Sequence, residues 1–272
     1  ISCNYIVWPT CCNQRKPGAV PQYGNFEHEI LAPPSPACEL GVMINSGYLT
    51  GTGLPHNATR IAGGIIAAAC LVAIAPISAE PVEPPADWPV YGGNAEGQRY
   101  SPLRQITSAN VSSLREAWRV ETGPGGLQTS PIVVDGIVYA CRPDQSVMAL
   151  DGATGRQLWH FAAPVRSFQP ARGVSMWRNG NERRLFVTNS HYLYALDPAT
   201  GQPISGFGNG GRIDLREGLG RDPATLAVFL TTPGIVWHDL IITGFRTGEG
   251  MPAAPGAVRA YSVRSGKPIW TF

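Results

Sequence analysis

The sequence has little charge and, after its first eighty residues, almost no cysteine. Charged residues make up 15% of the 272 residues and the formal net charge is +2, which is too small to suggest nucleic-acid binding. Low charge combined with an apolar share of 43% excludes a disordered chain and a coiled coil. Only Cys141 follows residue 80, so this part of the chain cannot form an internal disulfide. Because Cys141 follows an apolar run, we expect a buried structural thiol.

Long apolar runs are missing as well, with one exception near the N-terminus. Residues 61–76 form an apolar run of about 16 residues, preceded by Arg60 and followed by Ser78 and Ala79. The run is shorter than the roughly 20 residues that a membrane-spanning helix needs. This pattern predicts a secretory signal over residues 57–79, with a mature, periplasmic protein beginning near Glu80. An uncleaved N-terminal anchor, which would attach the protein to a membrane, is the alternative.

The first 56 residues show no period of 2 or 3.6 and hold four of the six cysteines. We interpret residues 1–56 either as upstream sequence that is not part of the native protein or as a disordered tail. The sequence starts with Ile1 and stops at Phe272, directly after a strand-like stretch, which indicates a fragment of a longer protein. The predicted organisation is therefore an upstream segment (1–56), a signal segment (57–79) and one folded domain (80–272).

Glycine and proline are abundant, and the folded domain repeats a sequence pattern. The chain has 32 Gly and 25 Pro, about a fifth of all residues compared with roughly 12% in average proteins. This composition favours short strands joined by turns. In each repeat an apolar stretch is followed by an Asp or Ser, a turn glycine and, in two of the three, a Trp. These repeats span residues 147–159, 193–205 and 258–270.

Each repeat is predicted to form a strand, a tight turn and a second strand, and each is preceded by a further strand. The preceding strands lie in residues 131–139, 184–188 and 234–243, and Asp135-Gly136 is typical of a hairpin turn. The repeat interval is about 46 residues and then about 65, and an all-β repeat of roughly 40–50 residues is typical of a propeller blade. We predict an all-β protein with four-stranded antiparallel blades. A β-sandwich is the alternative, although sandwiches do not repeat a motif in this way.

The stretch before the first repeat carries a specific resemblance. It reads WPVYGG at 88–93, RYSPL at 99–103, IT at 106–107, NV at 110–111 and AW at 117–118. This combination, with the tryptophan-containing repeats, resembles the quinoprotein dehydrogenases that use pyrroloquinoline quinone (PQQ), over about residues 86–272. The resemblance implies an eight-bladed propeller with PQQ and a divalent metal near its axis. This chain would supply the start and about three blades.

The resemblance also implies residues for the cofactor. PQQ carries three carboxylates and an ortho-quinone, so its binding needs cations and hydrogen-bond donors. Gln128 occupies the place of a family Glu that contacts the quinone, and Arg172, in an Arg-Gly motif, matches an Arg that contacts PQQ. Thr231 matches a hydroxyl that reaches a PQQ carboxylate. Arg246 matches an Arg of the glucose dehydrogenase-like branch, and Glu249 falls on the position of an acidic ligand for Ca²⁺ or Mg²⁺.

Other positions depart from the family or carry no predicted role. Arg166 and Ser167 stand where alcohol-oxidising members have adjacent cysteines, which favours the branch similar to glucose and quinate dehydrogenases. Phe168 stands where that branch often has a His, and could stack on the ring. His191 and His238 match no family site, so we expect both to be structural.

The family reaction is hydride transfer from a C–OH carbon to the quinone, assisted by the metal and by an Asp base. We expect that base and a further metal ligand beyond Phe272, so we assign no catalytic residue and expect this segment alone to be inactive. The implied substrate is a sugar, polyol or alcohol, and the implied electron acceptor is a quinone or cytochrome c. A non-catalytic propeller with similar repeats, acting as a periplasmic protein-binding scaffold, is the alternative.

Overall fold

The computed structural model describes residues 87–165, 167 and 169–272 fully, together with the backbone of two earlier strands. The predicted signal over 57–79, and the predictions for Arg166 and Phe168, lie outside the described residues. The described chain is built from β-strands, with two 3₁₀ turns at Val111–Ser113 and Pro223–Thr225. No helix in the described part is long and apolar enough to cross a membrane.

A three-stranded antiparallel sheet contains the two early strands. Strands β1 (Ile6–Thr10), β2 (Ala37–Asn45) and β3 (Leu114–Pro124) lie in the order β1-β2-β3. The interpretation of residues 1–56 from the sequence includes no strand at the positions of β1 and β2. β2 pairs with the 11-residue strand β3 in antiparallel register, from Ala37 opposite Pro124 to Asn45 opposite Leu114.

The first blade follows the sequence prediction closely. Its strands are β4 (Ile132–Val134), β5 (Ile137–Cys141), β6 (Val147–Asp151) and β7 (Gln157–Phe161), paired in chain order. Asp135 and Gly136 both have positive φ between β4 and β5, as a tight hairpin requires. Asp151 opens the turn between β6 and β7, and its carboxylate accepts hydrogen bonds from the backbone N–H groups of Ala153 and Thr154.

The second blade departs from the prediction at its outer edge. Its strands are β8 (Ser175–Asn179), β9 (Glu182–Asn189), β10 (Tyr192–Leu196) and β11 (Arg212–Asp214). The repeat over 193–205 predicts an outer strand after its turn glycine, but after Gly201 only an isolated bridge between Leu196 and Pro203 forms. Ser205 stands where the other two repeats have Trp, and the chain turns through several glycines before it pairs as β11.

The third blade contains β13 (Ile235–Trp237), β14 (Leu240–Thr243), β16 (Arg259–Ser262) and β17 (Pro268–Thr271). A separate two-stranded ribbon pairs β12 (Val228–Phe229) with β15 (Arg246–Thr247). The long repeat interval noted in the sequence therefore holds the connection before β13 and the loop between β14 and β16.

Buried apolar side chains fill the spaces between neighbouring blades. One cluster joins the first and second blades, and a second cluster joins the second and third blades around Phe186, Phe207 and Ile241. The outer side of the first blade is covered by Trp118 of β3. Because antiparallel strands alternate in direction, the segment that enters each blade and the turn between its second and third strands emerge on one face. We call this the entry face.

Candidate functional site

Backbone hydrogen bonds draw together the entry segments of all three blades. The Ser130 N–H donates to the Arg172 carbonyl at 3.0 Å, and the Arg172 N–H donates to the Thr231 carbonyl at 2.9 Å. Two of these residues are predicted site residues, and Ser130 lies two positions after a third, Gln128. Arg172 and Thr231 are 59 residues apart in the sequence, so it is the packing of neighbouring blades that places them side by side.

The side chains of Arg172 and Thr231 also meet on the entry face. Arg172 Nη1 lies 3.4 Å from Thr231 Oγ1, and the Arg172 side chain is exposed. No carboxylate among the described residues forms an ion pair with Arg172, which therefore presents an uncompensated positive charge. Gln128 is exposed on the same face at the start of its entry segment.

Gly173 allows this close approach of backbones. Its φ is +149°, and a Cβ at this position would lie 3.0 Å from the Ser130 carbonyl oxygen and 3.5 Å from Pro233. A residue with a side chain would therefore push the first and second entry segments apart. The glycine of the Arg-Gly motif is therefore needed for the close approach of the two backbones. The arginine side chain is exposed on the entry face.

Cys141 lies beneath the Arg172-Gly173 backbone and is fully buried. Its N–H donates to Thr129 Oγ1, and its Sγ contacts the Gly173 carbonyl at 3.4 Å. Burial raises the pKa of the Cys141 thiol to about 12, so this thiol is not a nucleophile at neutral pH. The prediction of a structural thiol is confirmed.

Arg246 and Glu249 lie together in the loop between β14 and β16. Arg246 Nη2 donates to Glu249 Oε1 at 2.8 Å, and Arg246 Nη1 donates to Gln169 Oε1 at 3.1 Å. The Glu249 side chain is 85% exposed. Gln169, three residues before Arg172, was not singled out from the sequence, because only the tertiary structure brings it to Arg246.

The two histidines behave differently from each other. His238 is exposed in the turn between β13 and β14, and its carbonyl accepts a hydrogen bond from Trp177 Nε1 at 3.0 Å. His191 Nδ1 lies 3.2 Å from Ser190 Oγ, and burial together with Arg216 lowers the pKa of His191. Burial alone would raise the pKa of the neighbouring Asp214, but its hydrogen bonds with Arg216 lower that pKa overall. Both histidines contribute contacts within and between blades, which agrees with a structural role.

The described side chains fit an anionic cofactor better than they fit a complete metal site. Arg172, Arg246 and Thr231 offer cationic and hydroxyl groups suited to carboxylates. Within residues 87–165, 167 and 169–272, no group of three or more His, Cys, Asp or Glu side chains could hold a metal. Glu249 can supply one carboxylate ligand, and its present partner is Arg246.

Repeated four-stranded antiparallel blades, packed side by side, define this chain as part of a β-propeller. A family model described as "PQQ: Glucose/ethanol/alcohol dehydrogenase, beta-propeller domain" matches residues 88–272. The chain belongs to this family, which confirms the resemblance and the propeller fold predicted from the sequence.

Curated relatives point in the same direction. The chain is 31% identical to quinoprotein glucose dehydrogenase of Escherichia coli, with 87% of this chain and 32% of that protein covered. It is 32% identical to the glycerol dehydrogenase large subunit of Gluconobacter oxydans, with 68% and 28% covered. The chain thus spans about a third of these relatives. Because residues 88–272 are about two thirds of the chain, the match over 87% extends into the segment before Trp88.

A solved structure supports the fold independently. A europium-containing methanol dehydrogenase superposes with a TM-score of 0.54 at 27% sequence identity, covering 70% of this chain and 32% of that one.

Proposed function

We propose that this chain is the N-terminal part of the propeller of a PQQ-dependent dehydrogenase that oxidises a sugar, polyol or alcohol. The observation that carries the proposal is Arg172 on the entry face, which lies beside Thr231 and has no carboxylate partner among the described residues, within a family whose description names PQQ. The Arg172 backbone is fixed by hydrogen bonds to both neighbouring entry segments, and its exposed guanidinium group can bind a carboxylate. A protein-binding scaffold does not require such a site.

Each proposed residue has a distinct task. Arg172 and Arg246 bind carboxylate groups of PQQ, the Thr231 hydroxyl donates to one of them, and Gln128 hydrogen-bonds at the quinone end. Glu249 provides one oxygen ligand to Ca²⁺ or Mg²⁺. When bound, PQQ would supply the oxidising power by accepting a hydride, that is two electrons and one proton, from the carbon that bears the hydroxyl group. We assign no described residue as the base.

The cellular setting is part of the same proposal. Residues 57–79 direct export to the periplasm, or anchor the protein in the membrane, and electrons pass to a quinone or a cytochrome c. A mature N-terminus near Glu80, determined by N-terminal sequencing of the exported protein, would support cleavage. A start well before Glu80 would favour the anchor.

The proposed function is tested by replacing Arg172 with alanine in the complete protein. The substitution removes a charge-assisted contact of roughly 1.5–3 kcal/mol, so PQQ affinity should fall about tenfold to a hundredfold. PQQ binding is followed by quenching of tryptophan fluorescence in the cofactor-free protein.

Arg156→Ala is the matched control. Arg156 is an exposed arginine of the β6–β7 turn, on the face opposite the entry face, and its replacement should leave PQQ affinity unchanged. Equal affinity for PQQ in the wild type and the Arg172→Ala variant would refute the assignment of the site.

A further inference from the structure

Arg246 has two hydrogen-bond acceptors that come from different parts of the fold. Glu249 belongs to the same loop, three residues away, whereas Gln169 belongs to the entry segment of the second blade, 77 residues away in sequence. The two acceptors bind different nitrogens of the guanidinium group, Nη2 and Nη1. Together they restrict a long side chain that is otherwise half exposed and that would lose considerable rotamer freedom on binding a ligand.

The two acceptors differ in what else can bind them. Glu249 is the proposed metal ligand, and a divalent cation competes with Arg246 for its carboxylate. Exposed ion pairs of this kind are weak, so the metal can displace the guanidinium group. Gln169 is a neutral amide on another segment, and its contact with Arg246 does not depend on Glu249.

The backbone around Gln169 is itself restrained. Its N–H donates to Ser167 Oγ at 3.3 Å, and Pro170 follows, with its φ fixed by the ring. The Arg172 backbone, three residues after Gln169, is hydrogen-bonded to both neighbouring entry segments. The Gln169 side chain therefore starts from an ordered segment and can hold Arg246 in place.

We propose that Gln169 is a positioning residue that keeps Arg246 directed toward a carboxylate of the cofactor when the metal occupies Glu249. This inference rests on the proposed function and adds a residue to its site. Gln169 acts through Arg246 and does not itself contact the cofactor. Its effect must therefore disappear when Arg246 is absent.

The test is a double-mutant cycle in the complete protein, with PQQ affinity measured by tryptophan fluorescence quenching at saturating Ca²⁺. Gln169→Met keeps the length of the side chain and removes the acceptor, and it should weaken PQQ binding about threefold to tenfold. In an Arg246→Gln background the same substitution should change PQQ affinity less than twofold. The control is Gln157→Met, an exposed glutamine of β7 away from the entry face, which should bind PQQ as the wild type does.

The outcomes separate the two proposals. If the wild type binds PQQ and Gln169→Met binds it equally well, the positioning role is refuted and the proposed function stands. If Gln169→Met weakens binding equally with and without Arg246, Gln169 does not act through Arg246 and the inference is also refuted. If the wild type takes up no PQQ, the proposed function fails and the inference fails with it.

Discussion

At the proposed metal site, a divalent cation would compete for the Glu249 carboxylate with the Arg246 guanidinium group, which lies 2.8 Å away. The ion pair is exposed on both sides, so it contributes at most about 1 kcal/mol. A hard divalent cation prefers carboxylate oxygen and can replace Arg246 at little cost. Glu249 is therefore available to a metal even though it is paired.

Glu249→Gln should raise the Ca²⁺ or Mg²⁺ concentration needed for half-maximal reconstitution of activity, with the fold retained. The amide keeps the shape of the side chain but loses the charge that a hard cation prefers. Metal titration of the PQQ-loaded protein measures the effect, and Glu121→Gln, on an exposed position of β3, serves as the control. Reconstitution of Glu249→Gln at the wild-type metal concentration would mean that the 244–256 loop is only a connector.

Individual site residues could be predicted from the sequence only through the family resemblance. Composition and spacing do not distinguish Arg172 from other exposed arginines, and the fold is what places it beside Thr231. Gln169 could not be predicted, because its relation to Arg246 is a tertiary contact between segments 77 residues apart. The proposed substitutions at the site residues therefore test tertiary contacts such as the one between Gln169 and Arg246.

Tryptophans dock on the turn glycines of the next blade, and this contact explains the spacing of the repeat. Trp118 Nε1 donates to the Gly152 carbonyl, and Trp159 Nε1 donates to the Pro198 carbonyl, each at 2.9 Å. Each indole ring covers a turn glycine, so that a Cβ at Gly155 or Gly201 would lie 2.5–2.6 Å from ring atoms. The glycine is needed for space as well as for its positive φ.

Gly201→Ala should destabilise the protein by about 2–4 kcal/mol, because overpacking against Trp159 adds to the cost of a positive φ. Gly136→Ala is the matched control, since Gly136 has a similar φ of +76° and nothing within 4 Å of an added Cβ. The control should lose only about 1–2 kcal/mol. Urea denaturation of both variants and the wild type measures the difference, and equal losses would show that the docking contact has no packing cost.

The hairpins of the first blade were predictable from local signals, whereas the outer strand of the second blade was not. Asp135-Gly136 between two apolar runs specifies its turn locally. In the second blade the repeat loses its Trp, and Phe207 and Ile213 take over the packing near Gly266. The outer strand then pairs at Arg212–Asp214, a choice made by packing between blades, which local sequence patterns do not report.

The two ends of the blade stack are covered unequally. Trp118 of β3 packs against Val138 and Leu150 on the outer side of the first blade. On the third blade, Val236 packs toward the second blade, while its strand neighbours Ile235 and Trp237 are 70% and 59% exposed. Alternation along β13 places these two side chains on the side away from the second blade. An apolar surface of this kind is typical of an interface.

The 272-residue chain produced alone should therefore self-associate and bind a hydrophobic dye such as 8-anilinonaphthalene-1-sulfonate. Replacing Ile235 and Trp237 with threonine should reduce both effects, because it removes apolar area without disturbing the buried Val236 side of β13. In the complete protein the same double substitution should lower stability if another blade covers this side. Analytical ultracentrifugation and dye fluorescence measure the first effect, and thermal unfolding measures the second. A soluble monomer that binds no dye and unfolds in one sharp transition would contradict the view that this blade packs against a further one.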